Sequence, residues 1–300
     1  MYTILGATGN IGSVITRKLL EKGEKVRVVG RNAGRLQQFV QRGAEAVVTD
    51  VKDAEALTKA LTGARAAFLM VPPGITSADY QADQEAESTA ISTAAKNAGL
   101  PYAVHLSSIA AHQPSGNGPI AGLHRAEKKL DAIERLNVLH LRPAYFMENH
   151  LAAMGMIQMM GIYGGALNPD MKFPMIATRD IGACAAERLF QLDFSGKQKK
   201  ELLGERDLSM AEVATAISRA INKPDLRYVQ FSYEQVEQAL IQMGTPAKTA
   251  AYFIEMFRGF NDGIVVGEEP RNAANTTPTT METFVKDVFA PAYQGIGVGA

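Results

Sequence analysis

Met1-Tyr-Thr-Ile-Leu-Gly-Ala-Thr-Gly-Asn-Ile-Gly12 opens the chain, and its reading decides the fold. A short apolar run, Tyr2 to Leu5, leads directly into glycines at positions 6, 9 and 12, and an amphipathic run from Ile11 to Leu20 follows. Strand, glycine-rich turn and helix form the arrangement that holds a dinucleotide pyrophosphate. Gly6 permits the tight turn, Gly9 lets the backbone approach the phosphates, and Gly12 lets helix pack on strand. Thr8, Asn10 and Ile11 complete the turn. Its phosphates meet the open N–H groups of the helix N-terminus, where the helix dipole favours an anion. Glycines alone also serve ordinary turns. The strand before them, and a second strand from Lys25 to Val29 after the helix, give them their meaning.

The same rhythm continues outward. Strands are expected near Tyr2–Leu5, Lys25–Val29, Ala44–Thr49 and Ala66–Val71, with helices near Asn10–Lys22, Ala33–Gln41 and Ala54–Leu61. Asp53 is placed to cap the third helix. A helix over Gln81–Asn97, a strand over Tyr102–Leu106, a helix over Leu123–Leu136 and a strand over Val138–Leu141 follow, which makes six strands by Pro143. Strands alternating with helices imply a parallel sheet with right-handed crossovers. The fold class is therefore α/β, a Rossmann-like doubly wound parallel sheet with a smaller C-terminal α/β lobe. We expect a dinucleotide-binding domain over residues 1–150 and a substrate lobe over residues 151–300, packed together as one compact unit. A Met-rich helix, Phe146 to Met160, opens the lobe. Strands near Leu202 and over Arg227–Phe231 follow, with helices over Ile181–Gln191, Met210–Ile221, Tyr233–Met243, Ala247–Phe257 and Met281–Phe289. The Gly-rich tail from Gly295 to Ala300 reads as frayed.

Composition narrows the function. The chain has 300 residues, of which 46% are hydrophobic and 21% charged, so it can bury a core. Its 31 basic residues balance 31 acidic ones, which leaves no basic face for a nucleic-acid backbone. Cys184 is the single cysteine, so neither an intramolecular disulfide nor a Cys-based metal site is expected, and no metal is called for. The most apolar stretch, Leu151 to Leu167, is short for a bilayer span and interrupted by glycines. With a strand at the N-terminus in place of a signal peptide, the expectation is a cytoplasmic protein, monomeric or homodimeric, with no membrane partner.

The type of dinucleotide follows from the second strand. An NAD site places an acid roughly 20 residues past the glycines to grip the ribose 2′-OH. Here that strand ends Val28-Val29-Gly30-Arg31-Asn32, with no acid. Arg31, with Arg35 one turn on, suits a 2′-phosphate, so NADP is expected in preference to NAD. Asp50 is a candidate acceptor for the adenine amino group, or a plain turn residue. Met70, Val71 and Pro72 end the fourth strand and would line the adenosine-ribose side of the cofactor.

Gly-Ala-Thr-Gly-Asn-Ile-Gly, Val-Gly-Arg-Asn, Leu-Ser-Ser, Glu127-Lys128 and Leu-Arg-Pro-Ala-Tyr-Phe-Met-Glu-Asn together resemble the NmrA-like family of atypical short-chain dehydrogenase/reductases. Within it, the NADPH quinone reductases and triphenylmethane-dye reductases are the most similar. The resemblance covers nearly the whole chain. It implies an NADPH-dependent oxidoreductase that passes hydride to a quinone-like or other conjugated acceptor. A non-catalytic NADP-binding redox sensor acting through a protein partner is the alternative.

Ordinary members of the wider family use Tyr-x-x-x-Lys, and the matching segment here is His124-Arg-Ala-Glu-Lys128. The resemblance implies that Lys128 binds the nicotinamide ribose; otherwise it is a surface lysine in a charged run. His124 could relay a proton near neutral pH, or stand by as a loop neighbour. Loss of the tyrosine disfavours alcohol–ketone chemistry, which needs a positioned proton donor. It suits acceptors whose hydride adduct is already stable. Ser107, with Ser108, lies at a strand end, where a bond to substrate or nicotinamide and a simple cap are both open readings. Tyr145, Phe146 and Asn149 follow the sixth strand and should face a crevice. Tyr145 would also touch the cofactor. Seven methionines lie between positions 147 and 175, Met154 among them, and suit either an adaptable wall for a small planar aromatic substrate or a lobe core.

Overall fold

The computed structural model describes residues 1–295. The expected tail from Gly295 onward therefore lies outside the described residues, apart from Gly295 itself.

The first six strands are β1 (Tyr2–Leu5), β2 (Val26–Gly30), β3 (Glu45–Val48), β4 (Ala66–Met70), β5 (Tyr102–Leu106) and β6 (Asn137–Pro143). Helices α1 (Asn10–Glu21), α2 (Ala33–Val40), α3 (Ala54–Leu61), α4 (Tyr80–Asn97) and α5 (Pro119–Asp131) alternate with them. Every pairing among these strands is parallel. The order is β3-β2-β1-β4-β5-β6, which reverses direction at β1 and β4. Asp53 caps α3 as expected, accepting from the Ala56 N–H at 2.9 Å.

Burial explains why these segments read clearly. β1 is buried at every residue and β4 at all but its last. A strand covered on both faces is a continuous apolar run, and helices must cover both faces. Ile4, Val28 and Phe68 pack under α1 and α2 on one side. Leu5, Ala67 and Leu69 pack with Leu57, Ile91 and Leu130 of α3, α4 and α5 on the other.

Two departures from the expected helices bear on the site. α5 begins at Pro119, four residues before Leu123, and ends at Asp131. Proline sits well in a first helical turn, where its missing N–H costs nothing. The Met-rich segment is not one helix. It is a short strand β7 (Tyr145–Phe146), a 3-10 turn (Met147–Ala153) and then α6 (Met154–Met160).

The division at residue 150 is crossed by the sheet. After β8 (Tyr163–Gly165), β9 (Phe173–Ile176) and α7 (Thr178–Gln191), strand β10 (Lys197–Leu202) pairs in parallel with β6 as the seventh strand. Its outer residues, Lys197-Gln-Lys-Lys, are the lysines that blunt an exposed sheet edge. α7 packs against α1.

The remaining lobe holds β11 (Asp207–Leu208), α8 (Met210–Ala220), β12 (Tyr228–Gln230), α9 (Tyr233–Gln242) and α10 (Ala247–Asn261). A C-terminal run follows as α11 (Met281–Phe284), a π-helical turn (Val285–Phe289) and α12 (Ala290–Tyr293). β7, β9 and β11 form a small sheet, and β8 pairs with β12. No helix among the described residues is long and apolar enough to cross a membrane.

Candidate functional site

The carboxyl ends of β1, β4, β5 and β6 open into one cleft of about 550 Å³. Doubly wound sheets bind ligands at this edge, where the strand order reverses. Gly6, Gly9, Asn10, Ile11 and Gly12 form its floor on the β1 side.

The turn's geometry depends on its glycines. Gly6 has φ +64°, a left-handed conformation that a side chain disfavours. A Cβ on Gly12 would lie 2.3 Å from the Gly6 carbonyl oxygen, so the helix meets the turn at backbone contact. The Gly9 N–H donates to the Gly6 carbonyl at 3.0 Å, and Gly9 itself is exposed. α1 has no side-chain N-cap and no acid in its first turn. Its free N–H groups and dipole therefore face the cleft, and the cradle fits a pyrophosphate.

Arg35 reaches back to this turn, donating from Nη2 to the Thr8 carbonyl at 3.1 Å. Arg31 and Arg35 are both exposed at the end of β2 and the start of α2. Asn32 between them caps α2 by accepting from the Arg35 N–H. Asp50 is exposed and accepts from the Lys52 N–H at 2.9 Å through Oδ1. Met70 and Val71 line the cleft; Pro72 does not, and its neighbour Pro73 does.

At the β5–β6 end, Ser107 is among the lining residues, but its hydroxyl is engaged. It donates to Glu127 Oε1 at 2.6 Å, and Ser107 is only 2% exposed. Glu127 also holds Arg142 through paired bonds of 2.9 and 2.6 Å. Burial acts to raise the Glu127 carboxyl, but the Arg142 guanidinium and the Ser107 hydroxyl hold it below its usual range. Arg142 also pairs with Glu268.

Glu127, not Lys128, is thus the residue of α5 that faces the sheet. Lys128 is exposed and does not line the cleft. His124 is half-buried, with Nδ1 2.8 Å from the Ala111 carbonyl, and it too lies outside the lining. The two residues sit one turn apart on α5, in line with Ile120 one turn earlier, but unlike Ile120 and Leu123 neither lines the cleft.

The far wall is aromatic. Tyr145, Phe146 and Asn149 line it, together with Phe253, Met256 and Phe260 from α10. The Tyr145 ring packs edge-on to Phe173 and Phe260 at 5.5 and 5.9 Å. Burial pushes the Tyr145 hydroxyl up to about 12, so it stays neutral. Glu148 lines the cleft, but both carboxylate oxygens accept from Thr178 at the start of α7; burial raises this carboxyl above its usual value, and the Thr178 bonds work against that rise.

None of the seven methionines between 147 and 175 lines the cleft. Met147 and Met175 are buried in the core, Met154 packs at its margin, and Met159 and Met160 are exposed. Breaking the expected helix into strand, 3-10 turn and helix turns them away. The residues missed from sequence, Tyr80 and Gln84 of α4, Ile120 and Leu123 of α5, and the α10 triad, come from distant elements. The i, i+3, i+7 spacing of Phe253, Met256 and Phe260 was the available signal, since it marks one face of a helix.

A second cleft of about 500 Å³ lies between α8 and the C-terminal helices, with Arg206, Arg219 and Lys286 at its rim. It has neither the glycine turn nor the sheet edge.

A model of the NmrA-like family matches residues 2–285. The chain belongs to the NmrA-like family. It is 30% identical over 259 residues to an NAD(P)H azoreductase of Xenophilus azovorans, covering 86% of each chain. Among solved structures, an NADPH-dependent quinone oxidoreductase from Escherichia coli in complex with NADPH superposes with TM-score 0.82. The identity is 23%, over 96% of this chain and 100% of that one. A Citrobacter sp. triphenylmethane reductase complexed with NADP(H) gives 0.74 at 19% identity, over 95% and 99%. The fold expected of the family is the fold observed.

Proposed function

We propose that this NmrA-like protein is an NADPH-dependent oxidoreductase that reduces quinone-like and other conjugated, electron-poor acceptors. The observation that carries the reading is one cleft uniting the glycine turn with an aromatic wall. Bound NADPH supplies the hydride. The turn at Gly6–Gly12 and the α1 N-terminus hold the pyrophosphate. Arg31, with Arg35 braced against Thr8, takes the 2′-phosphate, and Asp50 faces the adenine. Met70 and Val71 line the adenosine-ribose side, and Tyr145 touches the cofactor.

The acceptor lies flat against Tyr145, Phe146, Phe253 and Phe260, and Asn149 supplies a polar contact. Edge-on and offset aromatic contacts favour a flat conjugated ring. The wall excludes water from the reacting faces. With the Ser107 hydroxyl spent on Glu127 and the Tyr145 phenol made a weaker acid by burial, neither is a ready proton donor to an alkoxide. That matches acceptors whose hydride adduct is stable or takes its proton from solvent. The names of the azoreductase, the quinone oxidoreductase and the triphenylmethane reductase support the same class.

The test is steady-state oxidation of NADPH and NADH with menadione, in the wild type and Arg31→Ala. Acceptor-dependent turnover is expected, with the variant weakening NADPH by roughly tenfold or more and NADH little, as loss of a charge-assisted contact implies. Tight NADPH binding without acceptor-dependent turnover would favour the redox-sensing alternative. Equal losses for both cofactors would remove the NADP assignment.

A further inference from the structure

Among the described residues, Glu148 is the only charged side chain that lines the cleft; no Lys, Arg, His or other acid does so. Strand register puts it there. β7 pairs in parallel with β9, with Phe146 opposite Ile176. Glu148, two residues past Phe146, therefore comes level with Thr178, two residues past Ile176. Both reach the lining, beside Tyr145, Phe146 and Asn149 of the aromatic wall.

Three bonds fix the carboxyl in place. The Thr178 N–H lies 3.0 Å from each oxygen, and the Thr178 hydroxyl donates to Oε1 at 2.5 Å. Both oxygens thus meet donors, the arrangement that suits a carboxylate. Its charge is not cancelled by a partner. Arg179, next to Thr178, is turned to Asp287 at 3.3 Å and to Thr279 at 2.9 Å. Glu127, by contrast, is neutralised by Arg142 behind Ser107. Glu148 is also only half-buried, whereas Ser107 and Arg142 are buried, so a ligand in the cleft meets its charge directly.

An uncancelled charge in an apolar cleft is felt strongly, because little water screens it. An anionic ring would enter against it with no cation to meet. A conjugated cation loses hydration on entry and recovers part of the loss from the carboxylate. Such a cation also takes hydride without a proton and leaves uncharged. That suits a cleft in which neither the Ser107 hydroxyl nor the Tyr145 phenol is a ready proton donor.

We propose that Glu148 selects acceptors by charge: it favours conjugated cations, admits neutral rings and turns away anionic ones such as aryl sulfonates. This deepens the reductase reading and rests on it, since it needs an acceptor in this cleft.

The probes are three naphthoquinones on one ring system: uncharged, bearing a quaternary ammonium group, and bearing a sulfonate. Each is reduced with saturating NADPH at pH 8 by the full-length wild type and by Glu148→Gln, which keeps an oxygen for Thr178 and loses the charge. Comparing the two proteins on one acceptor cancels that acceptor's own reactivity. A unit charge in such a cleft is worth about tenfold in kcat/KM. Glu148→Gln should lose this factor with the cationic quinone, change little with the neutral one and gain with the sulfonate. Thr178→Val, which removes a bond to Glu148 but not its charge, should keep the wild-type ranking. The same factor for all three quinones in Glu148→Gln would overturn the charge role, leaving Glu148 as a cap on α7 and the reductase reading intact. No turnover of any quinone by the wild type would overturn both.

Discussion

Replacing Gly12 by alanine tests the contact on which the glycine turn depends. The added carbon would lie 2.3 Å from the Gly6 carbonyl oxygen, 2.8 Å from its carbonyl carbon and 2.9 Å from Ala7 Cα. Ordinary non-bonded contact is about 3.5 Å, so backbone must move by on the order of 1 Å. No side chain can give way, because all three neighbours are main chain. Overpacking of this kind costs about 1–3 kcal/mol, and roughly 2–4 °C of Tm accompanies each kcal/mol at this chain size. A fall of about 2–12 °C is expected. The shift also takes turn N–H groups off the phosphates. Charge-assisted bonds are worth about 1.5–3 kcal/mol each, so NADPH should bind tenfold to a hundredfold more weakly. Gly9→Ala is the control. Its added carbon meets only the Gly6 carbonyl oxygen, at 3.3 Å, so the fold should tolerate it. It stands on the side the phosphates approach, so binding should still fall. The assay is thermal unfolding paired with calorimetric titration of NADPH. Gly12→Ala with unchanged Tm and affinity, or Gly9→Ala more destabilised than Gly12→Ala, would refute the reasoning.

Three further outcomes follow from the surrounding structure. Glu127→Ala strands the Arg142 guanidinium, 1% exposed, with only Glu268 as partner; about 3 kcal/mol should be lost in urea unfolding, and a loss under 1 kcal/mol contradicts the paired role. Burial holds His150 down to about 3, so it stays neutral in the fold while the unfolded chain protonates it below about 6.5. Its stability contribution is therefore complete above that value and shrinks as pH falls; about 2 kcal/mol should go between pH 7 and pH 5. His150→Gln should flatten that slope, and an unchanged slope would exclude His150. Lys128→Ala should change turnover by less than about twofold, as an exposed residue outside the cleft does. A tenfold loss would return Lys128 to the nicotinamide ribose.

The legible parts of the chain are those whose local pattern and tertiary role agree. β1 and β4 are apolar because both sheet faces are covered, and Gly6 and Gly12 are fixed by a left-handed turn and a backbone contact that disfavour a side chain. β10 was harder to place, because an edge strand protected by Lys197, Lys199 and Lys200 carries no apolar signature of a sheet member. The Met147–Met160 run looked like one helix because its composition suits one; pairing of Tyr145–Phe146 with Met175–Ile176 imposes a strand first. Glu127 and Lys128 are adjacent, so sequence could not say which faces the sheet. Arg142 on β6 decides it, from fifteen residues away. The α10 wall was hidden for the same reason, since only the fold brings Phe253 and Phe260 to the cleft.

Hydride transfer itself is tested most directly by isotope. NADPH deuterated at the reactive C4 position is supplied with a cationic triphenylmethane dye, whose reduction creates a carbon–hydrogen bond that does not exchange with water. Direct transfer predicts that the leuco product made by the wild type carries one deuterium at its central carbon, in water and at every turnover. A product without deuterium, or no reduction while NADPH remains bound, would contradict the account.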